Sequence, residues 1–182
     1  QTMPDYAWMY PIPYEMYEKY AIRRYGAHGT SHRYVSGEMC RVLGRTEGTK
    51  IVTCHLGNGS SISAVKDGKV IDTSMGFTPL DGIEMGTRCG SIDPAIVTFI
   101  MEHEGFTPNE MSEFMNKKCG LLGVSGLSPD CRDLGDAVAK GNKRAKLAVD
   151  ILAYQIKKYI GGYAAAMNGL DAVVFTAGIG EN

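Results

Sequence analysis

No stretch of this sequence is apolar for long enough to cross a bilayer. Its longest apolar runs, such as Ala172 to Ala177, fall far short of the about 20 residues a spanning helix needs. No basic segment followed by an apolar one opens it, so no signal peptide is expected. An excess of charge of one sign is also missing. With 19 Lys+Arg against 20 Asp+Glu the net charge is -1, which gives no bulk attraction to nucleic acid or to an anionic membrane. Any anion bound here must be held by a local site. Paired cysteine spacing is absent too. Cys40, Cys54, Cys89, Cys119 and Cys131 make an odd count without a CxxC, against a disulfide framework or zinc cluster and in favour of a reducing cytoplasm. There is no HExxH, no EF-hand loop and no G-x-S-x-G, so neither a bound metal nor a serine nucleophile is expected. Internal repeats, low-complexity tracts and linkers are lacking.

What is present is an ordinary globular composition, 44% hydrophobic and 21% charged over 182 residues, with glycine as its outlier at 23. The glycines cluster, in Gly26-Ala-His-Gly29, Gly57-Asn-Gly59, Gly120 to Gly126 and Gly178-Ile-Gly180. Such clustering points to turns and to close approaches between backbone and ligand.

The pattern predicts an α/β chain. Pro4, Pro11 and Pro13 interrupt any early helix, Tyr14 to Tyr20 suits a short one, and Ser31 to Leu43 a longer one with Thr30 or Ser31 as N-cap and Gly44 as its stop. A three-stranded antiparallel meander follows at roughly 50–55, 60–66 and 69–74, its second turn being Asp67-Gly68. Asp93-Pro94 opens a helix ended by Gly105, and Thr107-Pro-Asn-Glu110 is a capping box for the next. Ala145 to Met167 is the longest helical pattern, with Leu147, Ile151 and Tyr154 on one apolar face and a bend allowed at Gly161-Gly162. Asp171 to Thr176 is a buried-type strand running into a glycine turn. The chain starts at Gln1 without Met and stops at Asn182 just after that turn, so a fragment is expected.

Five places could carry chemistry. The tip of the first hairpin, Gly57-Asn58-Gly59 after His55 and Leu56, offers positive φ, bare N–H groups, the Asn58 amide and the Ser60 and Ser61 hydroxyls to an anion; otherwise it is an ordinary tight turn. His28 stands between glycines just before a helix, near the positive end of its dipole, or is simply a loop residue. His32 reads as a helix-surface residue, and His103 as a dipole partner at a helix end. Arg88, in Met85-Gly-Thr-Arg-Cys-Gly90, could bridge phosphoryl oxygens or stay solvated. Asp130-Cys131-Arg132 offers a carboxylate and a guanidinium close together, or a surface ion pair worth little. Gly178-Ile179-Gly180-Glu181-Asn182 is not a full dinucleotide fingerprint, yet ligands in α/β folds gather at the carboxyl ends of strands.

In order, GxHGTSH, CHLGNGSS, DTSMGFTPL, MGTRCGSIDP, GLLGVSGLS, NKRAKLA and FTAGIGEN cover essentially the whole chain, and together they resemble the acetate kinase family. The resemblance implies a ribonuclease H-like, actin/Hsp70-type ATPase domain: an antiparallel three-stranded meander plus helices and a later parallel strand, truncated at both ends. It implies that residues 1–182 are a single partial domain, most of the C-terminal nucleotide-binding domain. The implied reaction moves the γ-phosphoryl of ATP to acetate, giving acetyl phosphate and ADP, with Mg2+. His28 and Arg88 match residues that stabilise the transition state. His55, Leu56, Gly57, Asn58 and Gly59 match the phosphate-binding hairpin, Asp130, Cys131 and Arg132 the adenosine-contacting segment, and Gly178, Ile179, Gly180, Glu181 and Asn182 the adenosine-side turn. Ala27 stands where the family usually has Phe. The family's upstream aspartate, its Asn and Arg near acetate and metal, and a glutamate near Mg2+ match nothing here, so the metal ligands are expected outside this chain. A cytoplasmic homodimer binding no nucleic acid or membrane is implied, and a fragment made alone is expected to bind nucleotide weakly and turn over poorly. The open alternatives are a propionate or butyrate kinase of the same family, a non-catalytic nucleotide-binding module and, least favoured, a metal-dependent hydrolase.

Overall fold

The meander forms where alternating β-branched and small residues meet two tight turns. In the computed structural model, which describes residues 2–181, the strands are β1 (Lys50–Leu56), β2 (Ser60–Lys66) and β3 (Lys69–Thr73). Asp67 and Gly68 both take positive φ (51° and 69°), the geometry of the two-residue hairpin turn expected there. A fourth strand, β4 (Ala172–Thr176), pairs with β1 in parallel, so the sheet order is β3-β2-β1-β4. β1 and β4 end together, with His55 opposite Thr176. That shared carboxyl end positions the site.

The chain divides into two compact units, one of the residues up to Gly82 with those from Ile156 onward, the other Ile83–Gln155. In the first, α1 (Asp5–Trp8), α2 (Tyr14–Tyr20) and α3 (Gly29–Val42) precede the sheet. The early prolines flank α1 and α2 rather than abolish them, Pro4 and Pro13 serving as N-caps. α3 lies against β1 and β4, where Cys40, Ile51 and Val65 form a buried cluster joined by Met39, Leu43 and Val174. Ser60 to Val65 are buried without alternation, the pattern of a strand covered on both faces. Arg24 clamps the segment after β3, its Nη1 donating to the carbonyls of Thr73 and Ser74 at 3.1 and 3.0 Å.

The second unit holds α4 (Pro94–Glu104), α5 (Pro108–Lys117), α6 (Gly120–Ser125), α7 (Cys131–Ala139) and the start of α8 (Lys143–Met167), which continues into the first unit. Asp93 caps α4 through the Ala95 N–H, and the Thr107–Glu110 capping box closes reciprocally. One expectation fails here. α8 is a single continuous helix, but its buried residues in this unit are Ala145, Ala148 and Leu152, while Leu147 and Tyr154 are more than half exposed. Alanine permits close helix approach, so the packed stripe is the one with the smaller side chains.

Candidate active site

α3 starts one residue after His28, which is the N-cap in place of Thr30 or Ser31. His28 holds a left-handed conformation (φ 57°, ψ 26°), uncommon for a residue with a Cβ and a mark of functional segments. Its side chain caps nothing. Instead, Nδ1 lies 2.8 Å from the Ser61 hydroxyl on β2. His32, one turn later, is not on the helix surface: it is 5% exposed, with Nε2 2.7 Å from the same Ser61 Oγ and Nδ1 2.8 Å from Thr53 Oγ1 on β1. The i, i+4 spacing of the two histidines puts both on the sheet-facing side of α3, a relation that helix periodicity alone could have flagged. His55, at the end of β1, stacks on His28 with ring centroids 4.1 Å apart and places Nδ1 2.9 Å from Ser31 Oγ. Three imidazoles thus meet where α3 begins and β1 ends. Burial, helped by the neighbouring histidines, lowers His32 to about 4, and burial also lowers His55 from its ordinary value.

The hairpin tip departs from expectation. Neither Gly57 nor Gly59 takes positive φ, and a Cβ on Gly57 would meet only ordinary contacts, 3.4 Å from the Gly59 carbonyl and 3.7 Å from Ala177 Cβ. The Ser60 and Ser61 hydroxyls are not offered to a ligand: Ser60 Oγ donates to the Gly57 carbonyl at 2.9 Å, closing the three-residue loop, and Ser61 joins the histidines. Leu56 is buried in the core, so only its backbone can face a ligand, whereas Asn58 is exposed. The segment after β4 coils into the short helix α9 (Ala177–Gly180) instead of an open glycine turn, entered through Ala177 at φ 67°. A Cβ on Gly180 would lie 3.4 Å from the Phe175 carbonyl carbon and 3.7 Å from the Cys54 oxygen, so Gly178, Ile179 and Gly180 sit over the ends of β1 and β4, beside the hairpin. Glu181 is exposed; Asn182 lies outside the described residues.

The remaining candidates belong to the second unit. The Arg88 loop is stitched at several points: Cys119 N–H donates to Thr87 O, Leu121 N–H to Met85 O, Leu122 N–H to Gly86 O, and Cys89 N–H to Met115 O. Gly120 is needed there. It has φ 63°, and a Cβ would lie 2.1 Å from the Met85 carbonyl oxygen and 2.7 Å from that of Arg88. The loop is therefore held, not flexible. Asp130 is the N-cap of α7 and chelates Arg132, accepting from its backbone N–H at 2.9 Å and from Nε and Nη2 at 3.0 and 2.6 Å. The guanidinium holds the Asp130 carboxyl down to about 2. Here the surface ion pair is what the structure contains. An open cavity of about 720 Å³ borders α7, but its polar lining includes Asp133 and Asp136 against Lys140, and Asp130 to Arg132 stay outside it.

One group escaped the sequence. Glu84 is 2% exposed, neither carboxylate oxygen has a partner, and burial raises it to about 7. Only the oddity of an acid within the apolar Ile83-Glu-Met85 could have hinted at it. Among the described residues no group of three or more His, Cys, Asp and Glu side chains is arranged to hold a metal ion, and no helix is long and apolar enough to cross a membrane.

Residues 1–182 match the model of the acetokinase family. The chain is 64% identical to the acetate kinase of Methanosarcina thermophila, over all of this chain and 45% of that protein. Its fold superposes with a TM-score of 0.97 on the crystal structure of Porphyromonas gingivalis acetate kinase, at 54% identity, over 100% of this chain and 46% of that one. A propionate kinase from Francisella tularensis matches at TM-score 0.95 and 50% identity, over 100% and 47%. The chain thus spans about half the length of the relatives it matches.

Proposed function

The chain belongs to the acetokinase family, and on that premise we propose that it is the nucleotide-binding part of an acetate kinase, a partial C-terminal domain. The reaction moves the γ-phosphoryl of ATP to the carboxylate of acetate, giving acetyl phosphate and ADP. The observation that carries this reading is the convergence of His28, His55 and the 57–59 loop at the common carboxyl end of β1 and β4, where α/β folds take their ligands.

The chemistry asks little covalent help of the protein. Acetate is already ionised at neutral pH, and the difficulty is to place two anions together and to neutralise charge on the equatorial oxygens of a loose transition state. Backbone N–H groups of the hairpin are suited to the nucleotide's phosphates. His28 can donate one hydrogen bond to the transferring group, by preorganised electrostatics and not as a base. Arg88 is proposed to bridge phosphoryl oxygens, its held loop saving the entropy of fixing a long side chain. Asp130 to Arg132 and Gly178 to Asn182 are proposed for the adenosine; the Asp130 carboxylate must then exchange part of its grip on Arg132 for ligand. Mg2+ accompanies the nucleotide in this reading, with ligands proposed to lie outside the chain. The cytoplasm is the proposed setting, consistent with five cysteines held as free thiols; a homodimer is implied by the resemblance alone.

The test is trapping of acyl phosphate as hydroxamate by the protein carrying this chain, with ATP and acetate, propionate or butyrate. Turnover with the highest kcat/KM for acetate supports the proposal. Highest kcat/KM for the longer acids would place the protein with the propionate kinase it also matches. Nucleotide binding without turnover of any acid would leave a binding module.

A further inference from the structure

The histidine cluster contains a chain of hydrogen-bonding groups that runs from His28 into the core: His28 Nδ1, Ser61 Oγ, His32 Nε2, His32 Nδ1, Thr53 Oγ1. Each link is 2.7–2.8 Å long. Each hydroxyl has one proton to donate, and a neutral imidazole donates from one nitrogen while accepting at the other. His32 is deeply buried, and its lowered pKa keeps it neutral. The chain therefore has two coherent orientations. If every proton points toward Thr53, His28 donates from Nδ1 to Ser61 and its Nε2 holds a lone pair in place of a proton. If every proton points toward His28, Thr53 O–H gives up its long 3.5 Å bond to the Ser63 carbonyl and donates to His32 Nδ1 at 2.8 Å, His32 Nε2–H donates to Ser61 and Ser61 O–H to His28 Nδ1. His28 then carries its proton on Nε2.

We propose that Ser61, His32 and Thr53 are positioning residues that fix His28 as the Nε2–H tautomer, so that a neutral imidazole presents a donor to the transferring phosphoryl group. This rests on the phosphotransferase reading above, because an anion at the far side of His28 selects that orientation. A lone pair there would repel it. The alternative source of an Nε2 donor, a charged His28, would put the cation face to face with His55 at 4.1 Å and within 6.4 Å of the His32 ring. The chain supplies the same donor without the charge. Further, a hydrogen bond onto Nδ1 fixes the plane of the ring as well as its tautomer. This accounts for a histidine that gives up capping its own helix in a left-handed backbone conformation.

The test uses the longest form of the protein that carries this chain, with ¹⁵N-labelled histidine. At about pH 8, above the ordinary histidine range, the nitrogen shifts of His28 should report a proton on Nε2 in the unsubstituted protein. Thr53→Val keeps the shape of a residue hydrogen-bonded to His32, and Thr53→Ser keeps the hydroxyl. The valine variant should mix the His28 tautomers and the serine variant restore them. Ser61→Ala should mix them fully and lower kcat by about tenfold or more with the KM for ATP nearly unchanged, since a misplaced proton on a working imidazole is costly. A proton on Nδ1 in the unsubstituted protein, or His28 shifts untouched by Thr53→Val and Ser61→Ala, would overturn the inference. If the tautomer behaves as described while no acyl phosphate forms, the network stands and the functional reading falls.

Discussion

Two buried titratable side chains give this protein opposite responses to pH. Glu84 is raised from 4.5 to about 7 by burial, so the folded state holds a proton that the unfolded state releases between those values. Stability from this group is full below pH 4.5 and is lost as pH rises toward 7, a difference of about 3 kcal/mol. Glu84→Gln should therefore gain stability relative to the parent as pH rises through that window, with denaturation midpoints measured across it; parallel curves would show that the carboxylate has found a partner. His32 runs the other way. Lowered from 6.5 to about 4, it contributes stability that is present above pH 6.5 and lost as pH falls toward 4. His32→Asn should be less stable than the parent at neutral pH, and the deficit should shrink on acidification. Neither group was legible in the sequence for what it is. A histidine on a predicted helix reads as surface until the sheet-facing side of that helix is known, and a lone glutamate in an apolar run reads as exposed.

At the level of elements, local chemistry is strongest where one residue type satisfies one backbone need. The Asp67-Gly68 turn, the Asp93-Pro94 start, the Thr107–Glu110 box and the Gly105 stop all form as their residues dictate. Thr107→Ala should cost about 1 kcal/mol of stability by thermal unfolding and leave turnover unchanged, because the cap serves only its helix. Gly120→Ala is expected to do both kinds of harm. Its Cβ would collide with the Met85 and Arg88 carbonyls at a positive φ, so stability should fall by about 2 kcal/mol or more and kcat should fall with it as the Arg88 loop shifts. Normal kcat in a folded Gly120→Ala protein would mean that the loop geometry is immaterial. The misread elements share a cause. The hairpin tip, the α8 stripe and α9 are decided by what packs against them: serine hydroxyls were drawn inward by the histidines and the tip carbonyl, and small alanines outcompeted Leu147 and Tyr154 for the buried face.

Across the whole molecule, the fold class was readable because the meander, the capped helices and the late strand each carry their own signals, and the parallel pairing of β4 with β1 completes the expected sheet. Of the candidate site residues, the structure brings His28, His55, the 57–59 loop and the Gly178 segment together, a grouping the motif order suggested in outline. Its wiring was not, because hydrogen bonds between α3 and the sheet join residues 21 to 33 positions apart and leave no local pattern. The chain spans about half the length of its relatives, so activity belongs to the protein that carries it. In that protein, Arg88→Ala should lower kcat far more than it raises the KM for ATP, whereas a pure KM effect would leave Arg88 a binding residue. The most direct measurement is steady-state acetyl phosphate formation by the parent and by His28→Ala. The expected result is robust acetate-dependent turnover in the parent and a loss in kcat of about 100-fold or more in the variant, the scale of removing a donor to transition-state charge, with ATP affinity nearly unchanged. Equal kcat in the two proteins, or no acetyl phosphate from the parent, would contradict it.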